Sequence, residues 1–223
     1  MSQPSFSHSS ESEQNVAPPE ARRWLIWPWL LLALALGLVL FVRGNLMTRT
    51  RADAGASHVG VGQPVGAFAL EPLTGEGEPL TIDDLKGQVT LVNFWGPWCG
   101  PCRIETPVLM EVVQHHKSAK GFRFISVSCS FDPSDETGLA DDTLAFQEDL
   151  NVKFRTWNDP TQATRGTLME TAGMNSFSYP MTLVIDQSAT IRGIWPGYAP
   201  GDELAINAVI ADLLRNKPVK AEK

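Results

Sequence analysis

The stretch FWGPWCGPCRIETP, Phe94 to Pro107, decides the reading of this chain. It follows the run VTLVNFW (Val89–Trp95), a short apolar, β-branched segment bounded by Lys86-Gly87, which predicts a strand. After it, Ile104, Val108, Leu109, Val112 and Val113 recur with a helical rhythm over Arg103 to Lys117, and Gly121 stops the pattern. Cys99 and Cys102 therefore fall where a strand hands over to a helix. A helix N-terminus presents unpaired N–H groups and the positive end of the dipole, so it favours a thiolate over a thiol. Lowering a cysteine pKa from ~8.5 to ~7 takes about 2 kcal/mol, within reach of the dipole and one or two N–H bonds. The i, i+3 spacing lets both sulfurs meet on one helix face, and Pro101, which has no N–H to donate, suits the first turn.

Downstream of the helix, Phe122–Ser128 alternates as a strand. Helices are expected at Thr143–Leu150 and Thr161–Thr171, with an extended stretch Val152–Trp157 between them. Met181–Asp186 and Thr190–Trp195 read as two strands around the turn Gln187-Ser188, and Asp202–Arg215 as a final amphipathic helix. Asp132 to Asp142 holds five acids and no base and reads as a solvated loop. Strands alternating with helices, then a strand pair and a helix, predict an α/β protein: a mixed central sheet flanked by helices.

Upstream, Trp24 to Val42 is 19 residues without a charge. As a helix it would run roughly 28 Å, close to the ~30 Å of a bilayer's hydrocarbon core. Trp24, Trp27 and Trp29 cluster at one end, as indoles do at headgroups, and Pro28 is expected near the first turn. A cleaved signal peptide is the rival, with Ala52-Asp53-Ala54 as its cleavage site. That triplet lies well past the run, beyond three arginines, so an uncleaved anchor is preferred. The expected organisation is a disordered tail (1–23), a transmembrane anchor (24–42), a linker (43–57), a globular domain (58–217) and a short tail (218–223).

The net charge of −7 argues against a nucleic-acid surface, which needs clustered Lys and Arg. Three cysteines do not make a disulfide framework, and Cys129 stands apart from the pair. A zinc site would need four ligands. The other candidates are Cys129 and His58, His115 and His116, and adjacent histidines on a helix point about 100° apart. His115 and His116 read as ordinary surface residues. Cys129 reads as a small buried hydrophobe, with a redox role the minority reading.

The segment Trp95-Gly96-Pro97-Trp98-Cys99-Gly100-Pro101-Cys102 resembles the thioredoxin active-site signature, and the wider pattern resembles the membrane-tethered TlpA/ResA/DsbE branch of that superfamily. The resemblance covers most of His58 to Lys217. It implies a thioredoxin-like fold and a thiol–disulfide oxidoreductase with Cys99 as nucleophile and Cys102 as resolving thiol. Tyr179-Pro180 matches a cis-proline facing the active site, and Gly197 a glycine lining the substrate groove; with Trp98 these are the implied substrate contacts. Pro107 matches a helix-kinking proline, and a hairpin is implied within Val65–Thr81. Where thioredoxins carry a buried Asp, six residues before the first cysteine, this chain has Asn93. The ResA-like branch instead has a Glu three residues after the second cysteine, and Glu105 matches it. Glu105 is thus the implied proton-transfer group, the alternative being a first-turn acid that complements the dipole. No cofactor is implied beyond a redox-active Cys99–Cys102 disulfide. The implied partners are disulfide-containing protein substrates, among them apocytochrome c, and a transmembrane thiol electron donor, with the domain outside the cytoplasm. A peroxiredoxin-like peroxidase is the enzyme alternative, although the Pro-x-x-x-Thr-x-x-Cys pattern is missing before Cys99. A metal or haem chaperone is the non-enzyme alternative.

Overall fold

The structure, a computed structural model, describes residues 21–216. Helix α1 spans Ala21–Ala56, followed by β1 (Ala69–Thr74), β2 (Leu80–Thr81), a 3-10 turn (Ile82–Leu85) and β3 (Val89–Trp95). Then come α2 (Gly100–His116), β4 (Phe122–Ser128), α3 (Leu139–Asp149), β5 (Thr156–Asn158) and α4 (Ala163–Thr171). The chain closes with β6 (Met181–Ile185), β7 (Ile191–Pro196) and α5 (Asp202–Arg215). It divides into two compact units, 1–45 and 46–223.

In the first unit, α1 carries no charged residue from Trp27 to Val42. From Trp27 to Gly44 it is long and apolar enough to cross a membrane, with its side chains exposed. The helix starts at Ala21, so Pro28 lies inside it rather than in its first turn. The helix also runs on to Ala56, through most of the segment expected as a linker. That segment contains no proline, and its Arg, Leu, Met and Ala residues are good helix formers. Residues 1–20 and 217–223, which include most of the expected terminal tails, lie outside the described residues.

The second unit is built on a seven-stranded sheet in the order β2-β1-β5-β4-β3-β6-β7. Strands β3, β4 and β5 are parallel, while β6 and β7 add antiparallel on one side and the β1–β2 hairpin on the other. All seven residues of β3 are buried, as expected for a central strand covered on both faces. Its side chains alternate between two cores. Val92 and Phe94 join Ile125, Val127 and Leu183 on the face that Leu168 of α4 also packs into. Val89 and Leu91 join Leu109, Val112, Ile206 and Ile210 of α2 and α5 on the other. Asn93 and Trp95 share this second face by the same alternation, so β3 aims them at the side that carries α2.

Three local readings change. The extended stretch 152–157 yields only the short strand β5. Helix α3 starts at Leu139, so Asp141 and Asp142 form its first turn rather than part of a loop, where their charge complements the helix end. His116 is buried, not on the surface: it is 5% exposed and shares a 2.8 Å hydrogen bond with Asn207 of α5. The buried stripe Leu109, Val112, His116 has helical spacing, which puts His116 on the core face.

Candidate active site

Cys99 is the N-cap of α2 and is disulfide-bonded to Cys102 one turn later. The Cys102 N–H donates to the Cys99 sulfur at 3.2 Å, so the first turn of the helix turns a backbone donor onto it. The pair packs against Trp95 at the end of β3 and Phe146 of α3. Cys99 is 3% exposed and Cys102 fully buried, so an incoming group meets Cys99 first. The loop between β3 and α2 passes tightly over Cys129. A Cβ on Gly96 would come within 2.8 Å of the Cys129 carbonyl oxygen and 2.4 Å of the Trp98 ring, which is why glycine stands there.

Trp98 is 43% exposed, with its Nε1 donating to the Cys129 carbonyl at 2.9 Å. Its ring meets Tyr179 and Phe131 edge-on, at centroid distances of 5.3 and 5.2 Å. The Tyr179–Pro180 peptide is cis. The Pro180 carbonyl accepts from the Gly197 N–H at 2.7 Å. Gly197 has φ +76°, a left-handed conformation that favours glycine, and open space where a side chain would be. Trp98, Tyr179, Pro180 and Gly197 thus form a connected strip that starts at the residue before Cys99.

One helical turn after Cys102, Glu105 is 2% exposed. Asn93 Nδ2 donates to one carboxylate oxygen at 2.8 Å, and Thr182 Oγ1 donates to the other at 2.7 Å. Asn93 Nδ2 also donates to Thr182 Oγ1 at 2.8 Å, which closes a triangle. Burial pushes the Glu105 carboxyl up to about 7; the Thr182 and Asn93 hydrogen bonds pull it down, and the charge of Asp202 adds to the rise. A carboxyl one turn from Cys102 that is half-ionised at neutral pH is suited to taking and returning a proton. Thr182 is absent from the sequence-derived site. Asn93, read only as unable to accept a proton, holds the carboxylate in place.

The AhpC/TSA family model matches residues 61–194. This chain belongs to that family. The thioredoxin-like protein YneN of Bacillus subtilis is 27% identical over 174 residues, covering 76% of this chain and 89% of YneN. The thiol-disulfide oxidoreductase ResA of Bacillus thuringiensis is 33% identical over 107 residues, 48% of this chain and 56% of ResA. A structure from Chlorobium tepidum, described as a thiol:disulfide interchange protein DsbE, superposes with a TM-score of 0.54 at 27% identity. That match covers 69% of this chain and 97% of the other. The fold is thioredoxin-like, and the membership agrees with the resemblance carried by residues 95–102.

The third cysteine of this AhpC/TSA chain lies next to the site. Cys129 is 1% exposed, and burial pushes its thiol up to about 12. Around it runs a polar network that the sequence did not announce. Arg165 Nε contacts the Asp159 carboxylate at 3.2 Å, and Arg165 NH1 donates to the Tyr179 hydroxyl at 2.9 Å. Arg165 and Asp159 are both buried, so the pair anchors Tyr179, and through it the Trp98 ring, from α4. In the reduced protein near neutral pH, Cys99 is expected to alkylate at least about tenfold faster than Cys102 or Cys129. Mass mapping after brief exposure to iodoacetamide checks this; first reaction at Cys129 contradicts the assignment of nucleophile.

Proposed function

We propose that the chain is a membrane-anchored thiol–disulfide oxidoreductase that reduces disulfides of proteins outside the cytoplasm. The observation that carries this reading is the Cys99–Cys102 disulfide on the N-terminus of α2 with the buried Glu105 carboxyl one turn behind it. The Cys99 thiolate attacks one sulfur of a substrate disulfide, and the other substrate sulfur leaves as a thiolate. The Cys102 thiol gives its proton to Glu105 and attacks the Cys99 sulfur. The mixed disulfide breaks, the second substrate thiolate departs and takes up a proton, and Cys99–Cys102 is oxidised. Two electrons pass to the substrate. The reaction needs no cofactor beyond the cysteine pair.

Trp98, Tyr179, Pro180 and Gly197 offer an extended substrate segment an aromatic platform and a backbone edge, the manner in which strands add to a sheet. Each cycle leaves the protein oxidised, so a transmembrane thiol carrier must return two electrons to it. The cysteine pair of apocytochrome c, kept reduced before haem attachment, is one substrate of suitable chemistry.

The test has two arms. Full-length protein is expected to stay with membranes through a carbonate wash, and protease added to intact spheroplasts is expected to remove the domain that carries Cys99. Extraction by carbonate removes the anchor from the proposal, and protection from protease removes the extracytoplasmic placement. In the second arm, reduced protein is expected to reduce a protein disulfide stoichiometrically and to consume hydrogen peroxide no faster than a buried-thiol control. Peroxide turnover without disulfide reduction would favour the peroxidase alternative.

A further inference from the structure

A cavity of about 320 Å³ opens between the residues that flank the cysteine pair in sequence and α3. It is lined by Pro97 and Trp98 before Cys99, by Arg103 after Cys102, and by Asp142, Phe146 and Asp149 of α3. At the low end of the ~300–1,000 Å³ typical of ligand pockets, it has room for a side chain, not for a folded partner. Two of its walls are aromatic. Its charges are unequal. Arg103 donates to Asp149 at 3.0 Å and lies 5.2 Å from the Phe146 ring centroid, so this cation is already engaged. The Asp142 carboxylate makes no hydrogen bond or ion pair among the described residues and carries the remaining negative charge.

We propose that this cavity receives the side chain next to the substrate's attacked cysteine and selects a lysine or arginine there. The inference rests on the proposed attack of Cys99 on protein disulfides. Once a substrate sulfur is bonded to Cys99, the neighbouring substrate residue lies within one residue's span of Trp98. A long basic side chain suits the cavity: its alkyl stem lies along the exposed Trp98 ring, and its charged head reaches Asp142. An acidic side chain in the same place meets Asp142, and the one cation among the lining residues, Arg103, is already paired with Asp149. Asp142 therefore acts as a specificity residue, not a catalytic one.

The experiment uses the full-length reduced chain in detergent and two disulfide peptides that are identical except for Lys or Glu beside the reactive cysteine. The readout is the ratio of kcat/KM for the two peptides within each variant, from which any loss of folded protein cancels. The parent is expected to prefer the Lys peptide by about 5- to 20-fold, the size of one partly exposed attraction plus one repulsion. Asp142→Asn is expected to lower the ratio to about 2 or less, Asp142→Lys to invert it, and added salt to shrink the parental preference. If Asp142 only complements the α3 helix end, Asp142→Lys lowers stability and leaves the ratio where it was, which overturns the proposal. Equal rates for both peptides in the parent overturn it too, while reduction of hydroxyethyl disulfide keeps the proposed function standing. Failure to reduce either peptide or hydroxyethyl disulfide removes both.

Discussion

Replacing Cys102 with alanine is expected to lower turnover by about a thousandfold or more and to leave Cys99 covalently joined to its substrate. Cys99 holds the helix N-cap, so the variant keeps its nucleophile and the N–H groups that favour the thiolate. What it loses is the second thiol. Cys129 does not replace it: burial keeps that thiol un-ionised up to about pH 12, and its sulfur faces the Val127 carbonyl. The first substrate sulfur therefore attaches and has no route off. Non-reducing electrophoresis and mass spectrometry of membranes from cells expressing Cys102→Ala should show adducts that dithiothreitol releases. The Cys99→Ser variant should show none. A Cys102→Ala protein that turns over at a tenth of the parental rate, or captures no more than Cys99→Ser, is incompatible with the roles assigned here.

Glu105→Gln should slow resolution of the mixed disulfide by roughly 10- to 100-fold while changing the initial attack much less. Gln keeps the shape of the protonated acid and loses its basicity. Rapid-mixing measurements of substrate release should lose the inflection near pH 7 that the parental carboxyl supplies. Parental release rates from pH 6 to 8 would reduce Glu105 to an occupant of the fold. The same substitution has a signature in stability. In the folded protein the carboxyl holds its proton up to about pH 7, while in the unfolded chain it releases it near 4.5. Between those values the unfolded chain is deprotonated and the folded protein is not, so stability falls as pH rises through this window. Below it the contribution is fully present; above it the contribution is lost, by about 3 kcal/mol. The variant lacks this loss. Urea midpoints of the oxidised proteins in detergent should therefore move in the variant's favour between pH 4.5 and 7.5. Parallel pH profiles would mean that Glu105 titrates alike in the two states.

The sequence carried the cysteine pair, the strand before it and the helix after it, because each shows in a local pattern. Strands β6 and β7 and helix α5 fall within a residue or so of their expected limits for the same reason. Thr182 was not legible. It meets Asn93 through the antiparallel register of β3 and β6, across 89 positions of chain, and no local pattern encodes that register. The available signal was weak: polar residues in two mainly apolar runs, Thr90 and Asn93 in VTLVNFW and Thr182 in MTLVI, of which Asn93 and Thr182 meet. The Arg165–Asp159 pair escaped for another reason: charged residues are ordinarily solvated, and only packing of α4 over Tyr179 buries these two. His116 was legible, since it continues the stripe of Leu109 and Val112 onto the core face.

The last turn of α1 sets where this protein can be divided. Gly55 is buried, and a Cβ there would come within 2.1 Å of the Trp195 indole. The same indole leaves no room for a Cβ on Gly193, at 2.3 Å, so it is packed between two glycines, one from the end of α1 and one from β7. Its Nε1 is buried and makes no hydrogen bond among the described residues. A soluble fragment cut at Ser57, where the sequence suggests that the linker ends, would remove one of these glycines and bare an aromatic face beside the edge strand. The domain boundary useful at the bench is the one between Asn45 and Leu46, which keeps the helix end as the cap of the β7 edge.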